Sequence, residues 1–475
     1  MAKHFPGPPT LPLLGNAHKF MCQPEELIIV IQDLIKNYGD VVKFWLGPDL
    51  NIVVSNPDDI KVLLTSTKTI YKGPQYKYMA DVLGGGILSG SGIPWRKHRK
   101  IATPNYGKKA IESYSDIFNK EVDILLQKYR DVPRGKQIDI YHDIVRTTSY
   151  AVCQTLMGLT SEETMSLPHL QRLIDTSPVM YDIVFDRMTK WYLQLDPVFW
   201  LTKSYTNLKD FILMIDEFSA EIIRKRRIRL ETFDQSKLDL MNSDEDSLKN
   251  TQLSVIDRFL LSEELDHHEL LKETFTVFTS SQEASAKISS YLLLMMAYHP
   301  NCQEKLYKEI VSVMGDDDRP VTDEDLRRMP YLEMAFKEVL RLFPIGAMLQ
   351  RTVIEDITIS SGTLPAGSSL VIPIYYIQRD SRFWTNPEEF DPERFTPEIT
   401  RLRKAYSYIP FSLGPMDCLG RYFGTKLIKT ICVRVLREFK LTSLETYKDL
   451  RVIIAISVAS RNGFPAILTP RKEAI

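Results

Sequence analysis

Residues 266–299 contain neither proline nor glycine, and the later half of the stretch is apolar almost all round. That pattern predicts one helix of ~30 residues, about 45 Å long, through the middle of the protein. Other helices must then surround it, and the chain is mainly helical in pattern from about 110 to 340, with further helices expected over 301–314 and 323–343. Strands are few. Val41–Trp45 and Asn51–Val54 flank the turn Gly47-Pro48-Asp49, Asn56-Pro57-Asp58 starts a helix, short strands fall near 351–374, and Arg461-Asn462-Gly463 is a hairpin signal. The fold class is mainly α with minor β. With no internal repeat or Gly/Ser linker, residues 1–475 are read as one large domain behind a proline-rich hinge over 1–9.

The centre of the long helix is polar where a buried helix should be apolar. Ser280-Ser281-Gln282-Glu283-Ala284-Ser285 lies between Phe275–Phe278 and the apolar Tyr291–Ala297. Composition narrows what such a site can serve. Sixty basic against 61 acidic residues give a net charge of −1, which argues against a nucleic-acid binder. The five cysteines include no C-x-x-C pair, so neither a disulfide scaffold nor a structural zinc site is expected, and a reducing compartment is. No run approaches the ~20 apolar residues of a membrane-spanning helix. The expectation is a soluble protein or one whose leading anchor has been removed. Arg224-Lys225-Arg226-Arg227 is read as a solvated helix face and Asn242–Asp246 as a surface loop. Gly84-Gly85-Gly86, with Gly90 and Gly92, lacks the spacing of a dinucleotide loop.

The most informative stretch is Pro410-Phe411-Ser412-Leu413-Gly414-Pro415-Met416-Asp417-Cys418-Leu419-Gly420, directly before a helical run from Arg421 to Phe439. A glycine-punctuated loop here presents one cysteine at a helix N-terminus, where the dipole and free N–H groups favour a thiolate, a metal ligand or nucleophile. The segment resembles the heme-binding loop of cytochromes P-450, F-x-x-G-x-R-x-C-x-G, with Phe411, Gly414, Cys418 and Gly420 in register and Met416 in place of the arginine. In that family the arginine pairs with a heme propionate. Its loss removes a charge-assisted bond of about 1.5–3 kcal/mol.

The resemblance extends over nearly the whole chain. Trp95-Arg96-Lys97-His98-Arg99 is similar to the family's W-x-x-x-R, which implies propionate contacts from Trp95 and Arg99, and Arg351 matches a third. Glu338-Val339-Leu340-Arg341 resembles E-x-x-R, and Arg394 in Pro392-Glu393-Arg394-Phe395 matches the arginine that closes a three-residue lock. Leu88–Gly92 ahead of Trp95, and the tail Arg461-Asn462-Gly463, are most similar to the family-four branch, well populated in insects and containing fatty-acid hydroxylases.

Against the family's A/G-G-x-D/E-T-T, Glu283 falls at the acid, Ser280 and Ser281 at the small pair, and Ala284 at the threonine, with Ser285 one residue later. The implied proton relay is Glu283, Ser285 and water, without the threonine hydroxyl. Ser280 also replaces the ester-forming glutamate of many family-four members, so heme b is expected non-covalently.

By the same resemblance, Cys418 ligates iron and favours O–O cleavage of dioxygen. Electrons are expected from NADPH through a cytochrome P-450 reductase, with cytochrome b5 as a further donor. Arg421, Lys426, Lys429, Arg434 and Arg437 are expected to receive an acidic redox partner. A small hydrophobic substrate, fatty-acid-like, terpenoid or xenobiotic, is expected among Phe278, Ile345, Ala347, Met348, Ser457 and Val458. In native full-length form the expected location is the cytoplasmic face of the endoplasmic reticulum membrane. Two other functions fit the departures at Met416 and Ala284: an isomerase or dehydratase acting on lipid peroxides without external electrons, and a non-catalytic heme- or ligand-binding protein.

Overall fold

The computed structural model describes residues 4–232, 253–315 and 318–471. Its axis is the helix His267–Tyr298, 32 residues without interruption. A reciprocal cap fixes the start: Glu269 N–H donates to Asp266 Oδ1 at 2.8 Å, and Asp266 N–H donates to Glu269 Oε2 at 3.1 Å. At the far end His299 N–H closes on Met295 O, and Pro300 opens the next helix, Pro300–Met314. Around this central helix pack Ile140–Thr155, Lys203–Glu231 and Arg421–Glu438, the last beginning just after the cysteine loop. Nearly every residue of the central helix from Leu270 to Ala297 is buried, which is why its apolar character runs all the way round.

The sheets are small and separate. The largest has five strands in the order Val41–Leu46, Asp49–Val54, Ser369–Ile372, Leu349–Thr352, Tyr71–Lys72. Its outermost pair is antiparallel, with Lys72 opposite Arg351. Among the described residues, no helix is long and apolar enough to cross a membrane.

Three local expectations change. The helix expected over 323–343 is two helices, Asp323–Arg327 and Pro330–Leu342, because Pro330 cannot donate into a preceding turn. Arg461-Asn462-Gly463 is not a hairpin turn: Val458–Ser460 before it pairs with Val452–Ile454, whereas Pro465–Pro470 after it pairs with Gln137–Asp139 and Phe439–Thr442. Gly463 (φ +71°) turns the chain from one sheet into another. The basic run is not wholly solvated either, for Arg226 is buried and donates to both carboxylate oxygens of Asp257 at 2.8 and 2.7 Å. The polar stretch Asn242–Asp246 lies outside the described residues.

Candidate heme-thiolate site

A cavity of about 380 Å³ separates the central helix from the cysteine loop. Cys418 opens onto it, and Phe411, Met416, Asp417 and Gly420 line it from the same loop. Two constraints shape this loop. Cys418 N–H donates to Phe411 O at 2.9 Å, and Gly414 sits at φ +76° where a Cβ would fall 2.2 Å from Leu64 O. Any side chain at 414 would be strained in conformation and would collide with backbone.

Enclosure pushes the Cys418 thiol pKa up, with Asp417 adding to the effect, against the Gly420 N–H and the charges of Arg421 and Arg99, which pull it down. Desolvation thus opposes the helix-terminus donors that favour the expected thiolate.

The structure brings Glu338, Arg341 and Arg394 together. Arg341 donates to Glu338 through Nε at 2.7 Å and Nη2 at 2.8 Å, with both side chains fully buried. Its remaining N–H groups reach Gln378 O at 3.0 Å, Pro387 O at 2.6 Å and Glu389 O at 3.0 Å. Arg394 Nε lies 3.3 Å from Glu338 Oε1, and Asp391 N–H donates to the same oxygen at 2.9 Å. Gln378, which the sequence did not single out, extends the lock to the loop. Its amide donates to Leu340 O and Arg341 O at 3.0 and 3.1 Å, and its Oε1 accepts from Ile409 N–H at 3.0 Å, two residues before Phe411.

Trp95, Arg99 and Arg351 all reach the cavity. Trp95 packs with Ile70 and Met416, so the methionine at the arginine position completes a small apolar cluster. Arg99 donates to Asp417 O at 2.7 Å and to Asp417 Oδ1 at 2.6 Å. Arg351 is 2% exposed and donates to Gln350 O at 3.0 Å. Lys72, absent from the sequence reading, lines the same wall.

On the opposite face, Ala284 and Ser285 line the cavity, but Ser285 Oγ donates back to Ser281 O of its own helix at 2.7 Å. Glu283 is held by Lys287, whose Nζ lies 2.5 Å from Oε1, and by Ser457 Oγ, which donates at 3.0 Å. Lys287 Nζ also donates to Ser457 Oγ at 2.6 Å. Glu283, the acid expected in the proton relay, is therefore paired with a cation one helical turn away. That spacing was legible, and the missed signal was a lysine at i+4 in a run this buried.

Of the expected substrate contacts, Ile345, Met348 and Ser457 line the cavity. Phe278 instead packs on Phe218, ring centroids 4.9 Å apart. Ala347 and Val458 are buried behind the wall, where Ala347 O accepts from Tyr375 N–H at 2.9 Å and Val458 N–H donates to Ile345 O at 3.2 Å. Met79, Val82, Val184 and Val277 supply apolar lining in their place. The expected docking cations are corrected too. Lys426, Lys429 and Arg434 are buried and paired with Asp323, Glu333 and Asp123, leaving Arg421 and Arg437 partly exposed. The glycine run serves packing: a Cβ on Gly86 would fall 1.1 Å from Glu273 Oε1, which accepts from Ile87 N–H at 2.8 Å.

The donor set fits an iron porphyrin: one sulfur facing an enclosed cavity, an apolar indole, and basic side chains gathered along one wall to meet carboxylates. Such a site defines the class of heme-thiolate proteins. The Cytochrome P450 family model matches residues 5–456, and the chain belongs to the cytochrome P450 family. It is 28% identical to Cytochrome P450 4c3 of Drosophila melanogaster, over 98% of this chain and 89% of that protein. It is 30% identical to Cytochrome P450 4d1 of the same fly (96% and 91%) and 29% identical to human Cytochrome P450 4V2 (95% and 87%). The chain is an oxidoreductase of the monooxygenase class.

Proposed function

We propose that this protein inserts one oxygen atom from O2 into a small, mostly apolar substrate, drawing electrons from NADPH through a separate reductase, with cytochrome b5 as a second donor. The observation that carries the proposal is the Cys418 sulfur opening onto an enclosed cavity across from Ala284 and Ser285. Bound there, heme b supplies dioxygen activation, with the thiolate favouring O–O cleavage. Cys418 holds the iron, and Trp95, Arg99 and Arg351 hold the propionates.

The Glu338–Arg341–Arg394 lock and Gln378 keep the loop in place, and the whole chain acts as one catalytic unit. Ile345, Met348 and Ser457 position the substrate while the apolar wall excludes water. Ser285 serves the proton relay by turning its hydroxyl from Ser281 O toward the cavity, and Glu283 serves it by exchanging Lys287 for water. The native location proposed is the cytoplasmic face of the endoplasmic reticulum.

A second reading, a heme-thiolate isomerase or dehydratase acting on lipid peroxides, is favoured by the missing hydroxyl at Ala284 and by the Lys287–Glu283 pair. One experiment separates the two. The reduced protein under carbon monoxide should give the thiolate-ligated band, and Cys418→Ser should lose it. Substrate turnover should then require NADPH, reductase and O2. Conversion of a hydroperoxide without NADPH, together with no NADPH-dependent product, would select the second reading.

A further inference from the structure

Three separate elements build a polar corner in the cavity. The helix Leu170–Thr189 brings Tyr181, the central helix brings Thr279 and Glu283, and the turn between the paired strands Val452–Ile454 and Val458–Ser460 brings Ser457. All four line the cavity, and Met180, Val184, Ile345, Met348 and Ile456 make the neighbouring wall apolar.

Glu283 and Lys287 form a buried ion pair at 2.5 Å, and Ser457 Oγ closes a triangle with them, accepting from Lys287 Nζ at 2.6 Å and donating to Glu283 Oε1 at 3.0 Å. Tyr181 OH lies 2.9 Å from Thr279 Oγ1. Burial, then the Glu283 charge and a hydrogen bond with it, raise the Tyr181 pKa well above its ordinary value, so the phenol keeps its proton. A buried ion pair gains little stability over apolar side chains of similar volume, so stability alone does not explain one set against a cavity.

The two charges cancel, and that decides what the corner accepts. A substrate carboxylate would bring a second negative charge beside Glu283, while Lys287 is already engaged by Glu283 and Ser457. A substrate cation would meet Lys287 in the same way. A hydroxyl meets neither obstacle, being neutral and able both to donate and to accept. We propose that the substrate is a neutral apolar alcohol whose hydroxyl docks in this corner, donating to Glu283 and accepting from Tyr181. Lys287 is the positioning residue that holds the Glu283 carboxylate. The proposal rests on the monooxygenase reading and deepens it by naming the polar end of the substrate.

Binding, not turnover, tests it. The ferric holoprotein is titrated with decanol, its isomer methyl nonyl ether, and decanoate, following the heme spin state and the heat of binding. Decanol should bind on the order of tenfold more tightly than either of the others, because a site that pairs a hydroxyl rejects analogues that leave its polar groups unpaired. Tyr181→Phe should weaken decanol about tenfold. Glu283→Gln leaves the Lys287 charge uncancelled, so decanoate should gain about tenfold while decanol loses affinity. Adding Lys287→Met to Glu283→Gln should abolish the decanoate gain. A corner with a merely structural role would not shift the two probes in opposite directions.

Decanol bound no more tightly than the ether or decanoate, an unchanged decanol affinity in Tyr181→Phe, no decanoate gain in Glu283→Gln, or a low-spin spectrum placing the decanol oxygen on iron would each overturn the proposal. If Glu283→Gln fails to fold, Tyr181→Phe, which leaves the ion pair intact, decides. Wild-type protein without sulfur-ligated heme would overturn the underlying reading and this inference with it. Normal sulfur ligation without decanol selectivity would overturn this inference alone.

Discussion

Arg341→Met is the most severe test of how the site is held. The methionine keeps most of the volume but removes five hydrogen bonds, two to Glu338 and three to the carbonyls of Gln378, Pro387 and Glu389. Glu338 is fully buried and would keep only Arg394 Nε at 3.3 Å and Asp391 N–H at 2.9 Å against its charge. Breaking a buried pair from one side costs about 3–5 kcal/mol, and the stranded carbonyls add to that. Against a total of about 5–15 kcal/mol for a folded domain, the variant should lose a large share of its stability.

The loss should also reach the cofactor, because Gln378 accepts from Ile409 N–H at the entry to the cysteine loop. Urea unfolding followed by tryptophan fluorescence, with heme content measured on the same samples, reads both effects. Glu338→Gln combined with Arg341→Met should recover part of the loss, since the unpaired charge is gone. An Arg341→Met protein within about 1 kcal/mol of wild type, with full heme content, would refute the reasoning.

Two further outcomes are expected. Gly414→Ala should displace the loop, since its Cβ would meet Leu64 O at 2.2 Å on a backbone at φ +76°; heme incorporation should fall at least severalfold, and normal incorporation would show that the loop can relax. Lys287→Met removes the cation beside Glu283 and leaves it neutral neighbours such as Ser457, which should cost about 3 kcal/mol in thermal unfolding. Adding Glu283→Gln should restore much of that, and an additive double variant would show that the pair is not coupled.

The parts of the fold that were legible in the sequence are those set by local chemistry. The central helix follows from an unbroken run between an Asp266 cap and Pro300, and the first strand pair from its turn residues. The lock was legible as three spaced charges because a buried carboxylate needs cations beside it, and Arg341 and Arg394 are the two that reach Glu338. Long-range register was not. Arg461-Asn462-Gly463 has turn chemistry, yet only the separate pairings of the flanking strands show that it joins two sheets.

Side-chain direction was likewise hidden. Phe278 and Val277 are neighbours on one helix, but Val277 faces the cavity while Phe278 joins the Phe218 and Phe275 rings. Lys426, Lys429 and Arg434 look like a solvated face until Asp323, Glu333 and Asp123 arrive from distant segments to bury them. Lys72 carries no local mark at all, and only its register opposite Arg351 shows that two cations converge.

The contact between Arg99 and Asp417 carries a mechanical consequence. Asp417 immediately precedes the sulfur, and it is leashed through both its carbonyl and its carboxylate to the helix Gly92–Ala102. On the outer side of that same helix, Arg96, Lys97 and Lys100 face water. A shift of that helix would therefore draw Asp417, and with it the start of the segment that carries Cys418, along with its charged outer face.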